Sequence, residues 1–230
     1  MTDRWDGTGR EPIFDLPGVL VAIVGGLVAV HALRGFLPPA DDDMVLALFA
    51  FVPDRYVLEA GEPAYPGGWG AMAWSFVGHA ALHGSWMHLV FNAVVLAAVG
   101  KPVVLRLGSA RFLALAAAAA AGGAAAHLVV DWGSQVPMIG ASGVVFGLFG
   151  AALRFVFVSP WRPLPSAFEA LGMPRVRGFV VALIVMNLIL VVVGAAPFGG
   201  DDGAVAWAAH LGGFLVGFFG FRLFDRPRPN

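Results

Sequence analysis

Residues 137–158 read PMIGASGVVFGLFGAALRFVFV, and residues 204–224 read AVAWAAHLGGFLVGFFGFRLF. Each stretch is apolar and close to the roughly 20 residues that a membrane-spanning helix requires. Each has an arginine towards its C-terminal end, Arg154 or Arg222, and a polar residue 12 positions earlier, Ser142 or His210. If the arginines mark the inner interface, a rise of about 1.5 Å per residue puts both polar groups about 18 Å above it. In a hydrocarbon layer about 30 Å thick, both then lie about 12 Å below the outer surface. The two stretches also carry matching small-residue steps, Gly143 with Gly147 and Gly213 with Gly217. Small residues four apart let two membrane helices approach closely. The expectation is two parallel, tightly paired helices that bring a serine and a histidine together at one depth.

The rest of the chain fits that setting. Of its 230 residues, 59% are apolar and 13% charged, against a usual ~45–50% and ~25%. Mean hydropathy is +0.80. These values exclude a disordered chain and a water-soluble globule. A net charge of -1 supplies no basic field for nucleic acid. With no cysteine, disulfides, thiol catalysis and cysteine-bound zinc are excluded. Arginine supplies all but one of the 14 cations, a bias that suits a GC-rich bacterial genome and hence a bacterial inner (plasma) membrane.

Six segments read as spans: 17–37, 84–105, 111–130, 137–158, 178–196 and 204–224. The predicted fold is therefore all-α, a polytopic six-helix membrane bundle. Residues 1–16 form a short N-terminal tail with no cleaved signal peptide. Residues 17–224 form the membrane domain, and 225–230 a short C-terminal tail. One connection is long, residues 38–83, and a loop of that length is usually functional. The Ala/Gly run 114–126 predicts a closely packed central helix. With both termini in the cytoplasm, only Arg34 and Arg55 among the cations fall outside, which satisfies the positive-inside rule.

No carboxylate lies well inside a span, which disfavours proton-coupled carriers and paired-aspartate proteases; the zinc-protease pattern H-E-x-x-H is also absent. What remains as candidates within the spans is a small set: His31, His88, Asn92, His127, Ser142, Asn187 and His210. His31 and His127 sit near outer ends, where the interface can solvate them. Asn187 is expected to bond a neighbouring helix in a structural role. His88 and Asn92 are four apart and share one helix face in the outer half of their span. A neutral imidazole can take the proton of a serine hydroxyl during attack, so His210 can activate Ser142. His88, Asn92 and a backbone N–H near Ser142 can donate to the oxyanion that develops. With no carboxylate for a third member, the expected unit is a Ser–His dyad.

At these residues the sequence resembles the rhomboid intramembrane serine proteases. The resemblance runs over about residues 70–224. It is carried by HAALHGSWMHLVFN from His79 to Asn92, by GASG from Gly140 to Gly143, and by AHLGG from Ala209 to Gly213 with Gly217. It implies a six-helix core, Ser142 as nucleophile, His210 as general base, His88 and Asn92 in the oxyanion hole, and no metal or cofactor. It further implies substrates that are single-span membrane proteins, cut near their outer ends. His79 and His83 match family positions and are expected to order the long loop. Three positions depart from the usual pattern. Trp74 is followed by Ser75 where Arg is common, Val104 stands where a loop-anchoring Glu is common, and Phe146 stands where Tyr is common. The first two bear on how the loop is held. Two rival readings are a non-proteolytic relative that binds membrane clients, and a small channel or transporter.

Overall fold

The computed structural model describes residues 15–57, 65–159, 161–193 and 206–225. The predicted tails, 1–16 and 225–230, therefore lie almost wholly outside the described residues. The regular secondary structure of the described residues is helical, apart from one isolated two-residue bridge. The helices are α1 (Gly18–Arg34), α2 (Pro39–Phe49), α3 (Gly68–Gly78), α4 (Trp86–Leu107), α5 (Ser109–Val130), α6 (Ser142–Leu153), α7 (Ala167–Gly172), α8 (Pro174–Val193) and α9 (Trp207–Phe224). Among the described residues, α4, α5 and α9 are long and apolar enough to cross a membrane; α1 and α6 are shorter apolar helices of 17 and 12 residues.

Two segments differ from the sequence reading. Residues 137–158 were expected to form one continuous span, but only Ser142–Leu153 is α-helical. Pro137 cannot donate to a helix, and Gly140 adopts φ +118, a region open to glycine and costly for other residues. Met138 instead forms a bridge with Phe51, donating to its carbonyl at 2.8 Å and accepting at 3.1 Å. The second difference is in the long connection 38–83, which contains α2 and α3. Pro39 at the first position and Asp41 and Asp42 in the first turn favour the start of α2.

The helices around Ser142 and His210 pack at backbone distance. In α9, a Cβ on Gly213 would lie 2.0 Å from the Gly143 carbonyl oxygen, and one on Gly217 would lie 1.8 Å from that of Gly147. The two glycine steps read from the sequence therefore face each other. On its other side, α9 meets the Ala/Gly run of α5, where a Cβ on Gly212 would lie 2.3 Å from the Gly122 carbonyl oxygen. So α9 is wedged between α5 and α6. Lipid provides little hydrophobic drive between helices, so this close dispersion contact is what holds such an interface.

The apolar cluster of Leu20, Leu96, Val103, Phe112, Leu148 and Phe221 fills the space between α1, α4, α5, α6 and α9. Val104, at the position of the missing Glu, belongs to it. At the C-terminal end of α9, Arg106 of α4 holds Asp225 through two bonds of 3.1 and 2.7 Å.

Candidate active site

The N-terminus of α6 organises the site. Ser142 is the first residue of that helix, so its first-turn N–H groups have no partner inside the helix and add a partial positive charge. Residues 140 and 141, which lead into it, are held by the long connection. Gly140 N–H donates to the His79 carbonyl at 3.0 Å, and Ala141 N–H donates to His83 Nε2 at 3.4 Å. His79 is buried and donates from Nδ1 to the Ser75 carbonyl at 2.8 Å. Burial pushes the His79 imidazole down to about 4. His83 is pushed down to about 3, by burial and then by the nearby His88. The neutral rings can therefore serve as fixed hydrogen-bond partners, in the loop-ordering role expected of them.

That connection has its own anchors. The Tyr56 hydroxyl donates to the Met72 carbonyl at 2.7 Å and bonds the Ser75 hydroxyl at 3.0 Å. Trp74 Nε1 donates to the Leu48 carbonyl at 2.8 Å. Arg34 pairs with Asp42 and also donates to the His83 carbonyl at 3.0 Å. Ser75, fully buried, is thus one of the groups that tie down the loop despite the missing arginine and glutamate. Sequence reasoning missed this, because Tyr56 and Ser75 are 19 residues apart with no shared pattern.

Ser142 and His210 do meet. Their hydrogen bond, Oγ to Nε2, measures 2.9 Å. His210 is buried, and the ring of Phe146 stacks on it with parallel planes and centroids 4.4 Å apart. Phe146 is one helical turn beyond Ser142, so the helix that carries the hydroxyl also braces its partner. His88 and Asn92 come to the same place from α4. A Cβ on Gly140 would lie 2.8 Å from the His88 ring and 4.0 Å from Asn92 Nδ2. Both side chains therefore lie over the backbone two residues before Ser142. Asn92 is buried, and its amide donates to the His88 carbonyl at 3.0 Å. Ser85 caps α4 by accepting from His88 N–H at 3.1 Å, which fixes the turn that carries His88.

The sequence matches the Rhomboid domain family over residues 70–226. The chain belongs to the rhomboid family. Among its relatives, this rhomboid is 33% identical to RHOMBOID-like protein 5 of Arabidopsis thaliana over 176 residues, covering 76% of this chain and 48% of that protein. It is 30% identical to Rhomboid protease GluP of Bacillus subtilis over 155 residues, 67% of this chain and 27% of that one. It is 32% identical to Rhomboid protease GlpG of Pectobacterium atrosepticum over 144 residues, 63% of this chain and 46% of that one. The matched region is less than half the length of each of these relatives.

The other intramembrane polar residues of this rhomboid divide. His31 packs edge-on against Trp86, with centroids 4.6 Å apart. His127 is not solvated as expected. It is buried, with Nδ1 2.9 Å from the Asp131 carboxylate one turn away. Asn187 does bond a neighbouring helix, but what it bonds is the ring of His210: Oδ1 lies 2.7 Å from His210 Nδ1. The sequence offered one signal for this. Val176, Val180, Leu183 and Asn187 fall on one stripe of α8, and Asn187 is its polar member.

Proposed function

We propose that this rhomboid is an intramembrane serine endopeptidase that cleaves single-span membrane proteins, working in a six-span fold with both termini cytoplasmic in a bacterial inner membrane. The 2.9 Å contact between Ser142 Oγ and His210 Nε2 carries the reading. His210 takes the hydroxyl proton as Ser142 Oγ attacks the scissile carbonyl carbon. The tetrahedral oxyanion is met by His88, Asn92 and the N–H groups that open α6. The C–N bond breaks as His210 returns the proton to the leaving amine, which leaves an ester on Ser142. Water then attacks that ester with His210 again as base, releasing the acid and restoring the hydroxyl. The half-buried Ser142 beside a buried His210 suits a reaction shielded from lipid but reachable by water.

Labelling with a fluorophosphonate tests the assignment. The native protein should label at Ser142 and cleave a single-span membrane substrate. Ser142→Ala should do neither. His210→Ala should be as inactive as Ser142→Ala, and the double variant no worse, because the two residues act as a unit. Single effects that multiply would reject the dyad. Unlabelled native protein would favour a client-binding or transport role.

A further inference from the structure

We infer that Asn187 is a positioning residue which, through its hydrogen bond to His210 Nδ1, holds the imidazole in the tautomer that leaves Nε2 free to accept the Ser142 proton. This rests on the dyad reading above and adds a third member from α8. The direction of the chain of bonds follows from its far end. Asn187 Nδ2 faces the Trp207 carbonyl at 3.5 Å, and a carbonyl oxygen can only accept. That orients the amide with Oδ1 towards His210, where it lies 2.7 Å from Nδ1. An amide oxygen also only accepts, so Nδ1 must carry the hydrogen. A neutral imidazole with hydrogen on one nitrogen is bare on the other, and the bare Nε2 lies 2.9 Å from Ser142 Oγ. A backbone carbonyl at the start of α9 thus sets, through one amide, which ring nitrogen can act as base.

Packing alone gives no reason for an amide there. The stripe of α8 that turns inward is Val176, Val180, Leu183 and then Asn187, with Val176 and Leu183 buried in an apolar cluster. The flanking Ile184, Val185, Met186, Leu188 and Ile189 are exposed, as suits a lipid-facing surface. A leucine at 187 would continue the stripe without the cost of placing a polar group in a membrane helix. The polar residue sits where the second nitrogen of His210 needs a partner. Of its two bonds, the one to the ring is the shorter. When the imidazole takes the serine proton and becomes positive, the same Oδ1 stays on Nδ1–H, so the bond strengthens as charge develops.

The test reads the tautomer directly. Nitrogen-15 NMR of the full chain labelled at histidine, with His210 assigned by comparison with His210→Ala, distinguishes protonated from bare ring nitrogens. Native protein should show Nδ1–H and a bare Nε2. Asn187→Leu, checked for an unchanged melting temperature, should lose that preference. Its rate of labelling by a fluorophosphonate should fall about 10- to 100-fold, the range of one hydrogen bond to a charged group. Asn187→Asp, which keeps an acceptor oxygen, should keep the Nδ1–H form. If Asn187→Leu does not fold, Asn187→Ala replaces it with the same expectation. An Nε2–H tautomer in native protein overturns the inference, as does a folded Leu or Ala variant with an unchanged ring and labelling within about twofold. Because the ring is read without turnover, a Ser142→Ala protein that still labelled would sink the dyad while leaving this measurement standing.

Discussion

Gly213→Ala should separate the serine from the histidine without touching either. The new Cβ would lie 2.0 Å from the Gly143 carbonyl oxygen, 2.8 Å from its carbonyl carbon and 3.3 Å from its Cα. These are backbone atoms and cannot swing aside as a side-chain tip would. Ordinary contact begins at about 3.4 Å, so the shortfall against the oxygen is about 1.4 Å. The interface must open by most of that distance. Gly143 adjoins Ser142, and Gly213 is less than one turn from His210, so the opening falls on the 2.9 Å Oγ–Nε2 bond and stretches it beyond hydrogen-bonding range. A misplacement of about 1 Å can cost about 10²-fold in rate. Overpacking typically costs about 1–3 kcal/mol of stability. The assay is cleavage of a single-span substrate by purified protein, with melting temperature measured alongside. Gly220→Ala on the same helix is the control, since nothing lies within 4 Å of its added Cβ; it should match native protein in both measurements. Native activity and melting temperature in Gly213→Ala would refute the close-approach argument.

Three further outcomes follow from the site. Loss of one oxyanion donor typically costs about 10²–10³ in kcat; His88→Ala and Asn92→Ala should both be impaired in single-turnover cleavage, Asn92→Ala less so because His88 and the α6 N–H groups remain. Wild-type rates in both would remove them from the mechanism. Phe146→Ala removes the ring stacked on His210; an aromatic pair is worth about 0.5–1.5 kcal/mol, so kcat should fall by up to about tenfold, and Phe146→Tyr should stay near native in the same assay. Stability should also depend on pH through His79, whose folded value is held by burial at about 4, below its ordinary 6.5. The unfolded chain therefore binds the proton first. The contribution is full above pH 6.5, is lost as pH falls from 6.5 towards 4, and changes no further below that. Melting temperatures across this window should drop less steeply in His79→Gln, and an equal slope would remove His79 as a source.

Residue pattern alone established the medium, the pairing and the shared level of the two polar groups. Composition placed the chain in a membrane because too few charged residues remain to cover a water-facing surface. The glycine steps at 143/147 and 213/217 specified which helices touch, because such close approach needs positions without a Cβ. Equal spacing of Ser142 and His210 from their arginines put them at one level, since helix rise is constant. Periodicity also put His88 and Asn92 on one face of α4. Long-range packing supplied the rest. It made α6 begin at Ser142, because the bridge from Phe51 to Met138 and the left-handed Gly140 draw residues 137–141 out of the helix. It joined Tyr56 to Ser75, and it turned the amide of Asn187 onto His210. These are contacts between elements distant along the chain. Sequence pattern fixes a residue's face and height on its own helix, whereas the rotation and offset of two packed helices decide which side chains share a hydrogen bond.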